Sequence, residues 1–133
     1  MFKNNFLISF GSSVILGFLV WWLSLSFTGA VEPWDAENGY YFIALGIVGV
    51  VGGFLGGKRF WLWPLAIIVG QIIAIIIMHF THPPAGVDFF IPLGLIFLII
   101  CSVPSFVGSA IGVGLSRMIL KHIGQNQNQR TSR

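Results

Sequence analysis

An all-α, integral-membrane four-helix bundle with both termini in the cytoplasm is the fold this sequence predicts, and three observations predict it. The 133 residues are 56% hydrophobic and only 8% charged, with a mean hydropathy of +0.90. Four apolar runs, 6–27, 41–57, 60–80 and 89–116, approach or exceed the roughly 20 residues a helix needs to cross a bilayer. The connections between them alternate in the sign of their charge. A soluble domain carries about 25% charged residues, and seven Lys/Arg with four Asp/Glu cannot cover a water-soluble globule of this size. A soluble enzyme, a nucleic-acid reader and a disordered chain are therefore excluded.

The runs are apolar throughout rather than alternating, and lipid offers no partner for an open sheet edge, so each run is predicted to be helical. The first, Phe6 to Phe27, contains no ionisable side chain. Lys3 before it and Thr28-Gly29-Ala30 after it imitate a signal peptide, but 22 apolar residues exceed an h-region of about 7–15. It is predicted to remain as a span. The second, Tyr41 to Gly57, is short, and the third runs from Phe60 to Phe80. The fourth, Phe89 to Ser116, has 28 residues, about 42 Å at 1.5 Å per residue. It must tilt, kink or project from a core about 30 Å thick. Pro104 inside it is the predicted kink. Asp88 is placed to cap its start, and Pro92 falls near the first turn, where a missing N–H costs little. The short connections predict one transmembrane domain over residues 1–120, followed by a polar, Gln/Asn-rich and disordered cytoplasmic tail over 121–133.

With four spans, every cation falls on one side and every carboxylate on the other. Lys3 precedes the first span, Lys58 and Arg59 join the second to the third, and Arg117, Lys121, Arg130 and Arg133 follow the fourth. Glu32, Asp35 and Glu37 lie in the first connection, and Asp88 in the third. The positive-inside rule then puts both termini in the cytoplasm of a plasma membrane, with a bacterial inner membrane the expected setting. Trp21, Trp22, Trp34, Tyr40 and Tyr41 fall near the outer interface, and Trp61 and Trp63 near the inner one, as an aromatic belt requires.

Small residues predict how the helices pack, because they let backbones approach within lipid. Successive residues turn by about 100°, which places Gly46, Gly49, Gly53, Gly56 and Gly57 within one arc of the second helix. Gly94, Cys101, Ser102, Ser105, Gly108, Ser109, Gly112 and Ser116 share an arc of the fourth. Ala66, Gly70 and Ala74 recur every four residues on the third, and Ser9, Ser13, Gly17 and Ser24 lie on one side of the first. These stripes serve either packing within the bundle or a seat for a second copy or another membrane subunit.

No Asp, Glu, Lys or Arg lies within a span, which argues against a proton relay or a midplane pocket for a charged substrate. Gln71 is the one strongly polar side chain near the middle of a span. It is expected either to make an interhelical hydrogen bond or to line a narrow path with Ser102 and Ser105. His79 and His82, three residues apart near Asp88, are weak metal candidates, since zinc needs three or four converging ligands and no HExxH spacing occurs. Neither the membrane serines nor the lone Cys101 sits in a nucleophile motif, and no phosphate loop or cofactor motif is present.

Size and span count are similar to those of small multidrug exporters and small fluoride channels. The first span lacks the membrane-embedded Glu on which the exporters depend. The third is a run of Ile and Ala rather than the polar helix of the fluoride channels, and the charge bias is one-sided. The functional expectation is a non-enzymatic accessory or assembly subunit, or a homo-oligomer, whose partners are the bilayer and another membrane protein or itself. A channel or facilitator for a small or uncharged solute through Gln71 and Ser102 is the alternative.

Overall fold

A computed structural model describes residues 6–28, 33, 39–81 and 91–131. Of these, 93% are helical and none lies in a strand. The helices are α1 (Phe6–Thr28), α2 (Tyr40–Gly56), α3 (Leu62–Thr81), α4 (Ile91–Cys101) and α5 (Val103–Thr131). Three stretches are long and apolar enough to cross a membrane: Phe6–Ser24, Leu62–Thr81 and Leu93–Gln125. Helix α2, with 17 residues, is shorter, about 25 Å. Most of the large apolar side chains point outward, among them Ile8, Ile15, Ile43, Ile47, Ile76, Ile100 and Ile111. That distribution suits a lipid surround and would be an aggregation liability in water. Glu32, Trp34, Asp35, Glu37, His82 and Asp88 lie outside the described residues, as do Lys3 and Arg133.

The bundle is built from two closely packed helix pairs, α2 with α5 and α1 with α3, joined mainly where α1 meets α2. Within the first pair Gly49 abuts Ser105 and Gly53 abuts Ser109, while Gly108 and Gly112 meet the backbone at Gly46 and Val50. Residue numbers rise together on both helices, so the pair is parallel. Within the second, Gly17 abuts Ile67, Gly70 abuts Val14 and Phe18, and Phe6 meets Trp63 near both helix starts. This pair is parallel too. Its members are separated in sequence by one helix that returns the chain.

The fourth apolar run is interrupted at a single residue. Residue Ser102 is a turn between α4 and α5, two positions before Pro104. Proline removes the N–H that would bond the Ile100 carbonyl, and its ring crowds that same group. The backbone tightens locally: Ser102 N–H reaches both the Leu98 and Ile99 carbonyls, and Ser105 N–H donates to Ser102 at 2.9 Å. Beyond the break α5 continues to Thr131, well into the segment whose composition predicts disorder. A helix already nucleated by packing extends cheaply, one bond per residue, through Gln, Asn and Arg.

Candidate functional site

The polar and small residues singled out in the sequence sort into three structural groups. The largest is the α2·α5 seam. A methyl group on Gly49 or Gly53 would collide with the carbonyl of Ser105 or Ser109. On Gly108 or Gly112 it would collide with the carbonyl of Gly46 or Val50. The stripes on the two helices thus close on each other. Backbones this close gain van der Waals contact along the seam. Gly46 contributes its carbonyl only, since a methyl group there would meet open space. Gly57 stands apart from the stripe: its φ of 77° caps α2, with its N–H on the Gly53 carbonyl at 3.2 Å. An L side chain rarely adopts that conformation, so its glycine serves the turn.

Serine hydroxyls in this region are satisfied locally, a common fate of Ser in helices. Ser102 Oγ donates to Leu98 at 2.7 Å and Ser105 Oγ to Ser102 at 2.6 Å. Ser109 differs: its hydroxyl donates to the Phe60 carbonyl at 2.6 Å, tying the turn after α2 to α5.

The second group is a notch in α2 occupied by an indole. Trp63, fully buried at the start of α3, lies across Gly52 and Gly56, where added methyl groups would meet its Cβ and its ring. Gly52 was not among the residues predicted to pack. Its four-residue spacing to Gly56 was visible, but which aromatic would use the notch depends on how α3 sits against α2. The Trp63 indole N–H has no partner among the described residues. Ser13 Oγ, beside the notch, donates to Ser9 at 3.0 Å.

The third group is the interior around Gln71. Tyr41 Oη donates to Gln71 Oε1 at 2.7 Å, and both side chains are fully buried. Trp21 sets its ring edge-on to Tyr41 at 6.2 Å. Leu45, Ile67, Ala74 and Leu98 close the surroundings. Gln71 Nε2 has no hydrogen-bond partner among the described residues. Gln71 and the Ser102–Ser105 pair, all buried, each hydrogen-bond elsewhere, so no direct hydrogen bond joins them. Tyr41, placed by sequence at an outer interface, is the partner that sequence reasoning missed. A tyrosine in the first turn of a helix carries no sign of whether it faces lipid or a neighbour.

Ala66 and Ala74 are fully buried on α3, and Gly70 sits under the Val14 carbonyl. Exposed His79 lies against Phe80 at the end of α3. Among the described residues no three His, Cys, Asp or Glu side chains gather as a metal site would require. Half-buried Cys101 is a free thiol. The chain matches no protein-family model, and no curated protein or solved structure is significantly similar to it.

Proposed function

We propose that the protein is a four-span integral membrane protein with both termini in the cytoplasm. It acts without catalysis, as an accessory or assembly subunit that offers a rigid bundle to another membrane protein or to a second copy of itself. One observation carries this reading: small and polar residues are turned inward and matched to one another, leaving an outer surface of large aliphatic side chains. The sealed α2·α5 seam supports a self-contained scaffold, so a partner would meet the aliphatic exterior, of which α4 is the most open part. Five of its side chains, Leu93, Ile96, Phe97, Ile99 and Ile100, are exposed around a buried Leu98.

Native mass spectrometry in mild detergent tests the reading. A discrete oligomer or a complex of fixed stoichiometry is expected, and a lone chain at every concentration would contradict it. A second reading, a facilitator for a small uncharged solute at Gln71, Ser102 and Ser105, is favoured by one observation, the buried Gln71 Nε2, which has no hydrogen-bond partner among the described residues. It predicts solute flux in proteoliposomes that Gln71→Leu abolishes; flux indifferent to that change would remove the residue from any path.

A further inference from the structure

We propose that the turn after α2 and the adjoining ridge of α5 form a binding site for the phosphate of an anionic phospholipid, an inference that rests on the membrane reading above. Four exposed cations carry it: Lys58 and Arg59 in the turn, Arg117 and Lys121 on α5. The turn is fixed to the helix. Its entry is set by the positive φ of Gly57, its exit by the Leu62 N–H on the Arg59 carbonyl at 3.1 Å. Between them the Phe60 carbonyl accepts the Ser109 hydroxyl at 2.6 Å. Residues four apart are neighbours on a helix surface, so Ser109, Val113, Arg117 and Lys121 form one continuous ridge. That ridge starts at the residue bonded to the turn.

The turn and the Arg117–Lys121 ridge lie toward the same end of the parallel pair. Gly53 abuts Ser109 and the Phe60 carbonyl accepts the Ser109 hydroxyl, so the turn joins α5 about two helical turns before Arg117 and about three before Lys121. The flexible stems of Lys and Arg reach across that distance. No described residue is acidic; in the sequence the four carboxylates of the chain fall between α1 and α2 and between α3 and α4. The cations therefore have no counterion of their own among the described residues. Basic pockets between transmembrane helices on the cytoplasmic side hold phospholipid head groups in this way. Half-exposed Phe60, Trp61 and Phe54 flank the cluster, which offers the acyl chains and glycerol backbone an apolar and interfacial wall.

The test uses the full-length protein, purified and delipidated in detergent, with phosphatidylglycerol or phosphatidylcholine added and retained lipid read by native mass spectrometry. Phosphatidylglycerol should be retained in preference. Lys58→Gln with Arg59→Gln, and separately Arg117→Gln with Lys121→Gln, should each weaken it about thirtyfold. Arg59→Lys and Arg117→Lys, which keep the charge, should restore most of the binding. Arg130→Gln, more than three turns beyond Arg117, should change it less than about threefold. Equal retention of the two lipids, or indifference to both double variants, would overturn the site. Inorganic phosphate that displaces the lipid at equal concentration would overturn the assignment to a lipid. Failure of the membrane reading has a separate signature: protein that stays in solution without detergent.

Discussion

The two parallel helix pairs use the same crossing and fill it differently. In α1·α3 one reciprocal contact, Gly17 on Ile67 and Gly70 on Val14, brings the backbones together. Above it the pair opens into side chains: Trp21, Tyr41 and Gln71 occupy the space toward α2. In α2·α5 the contact repeats one turn on, with Gly49 and Gly53 answered by Gly108 and Gly112. Local hydroxyl bonds of Ser102 and Ser105 accompany it. On the membrane reading proposed above, burial of apolar surface drives little, because lipid tails are as apolar as leucine, and closeness of approach must substitute. The α2·α5 pair supplies closeness over two turns, whereas α1·α3 supplies it at one point and adds a polar pair.

Substitutions can break that contrast. The largest loss is expected from Gly53→Leu or Gly112→Leu, where a side chain would have to displace backbone. Each should cost at least about 3 kcal/mol, the upper end of overpacking effects, measured by steric trapping or denaturant titration in detergent. A loss below about 1 kcal/mol in both would show that the seam is loose. Trp63→Ala comes next, at about 2–3 kcal/mol. The empty Gly52–Gly56 notch loses its packing, while the transfer term that operates in water is largely absent.

Smaller and more diagnostic is the polar pair. Tyr41→Phe should cost about 1 kcal/mol, because it strips Gln71 of its acceptor bond and leaves the buried amide with no hydrogen bond among the described residues. Gln71→Leu should cost less than Tyr41→Phe, since it removes the unpartnered Nε2 along with the bond. The reverse order would show that Nε2 is well satisfied. Smallest of all, Gly46→Ala and Gly114→Ala point into open space and should lie within about 0.5 kcal/mol of wild type or gain slightly, Ala being the better helix former. If they behaved like Gly53→Leu, the two kinds of glycine would not differ.

The contrast also marks where sequence stops being informative. Helices were legible because apolar runs of this length have one solution in lipid, and structure and sequence agree on most ends within two residues. The exceptions are α5, which runs on to Thr131, and the break at Ser102, upstream of the proline that causes it. The stripes of α2 and α5 were legible because a helix turns by a fixed angle per residue. Which stripe meets which was not, since Gly46–Gly57 could equally have faced a second copy. Tyr41 with Gln71, and Trp63 over Gly52 and Gly56, depend on the register between helices far apart in the chain. No periodicity within one helix encodes that register.

The α2 and α5 stripes are used up inside one chain. Unfolding of wild type and of Gly53→Ala, followed over a hundredfold range of protein-to-detergent ratio, tests it most directly. The variant should be less stable by the same amount at every ratio, because the contact is intramolecular. Protomers that unfold alike, with the difference confined to dissociation of an oligomer on dilution, would contradict it.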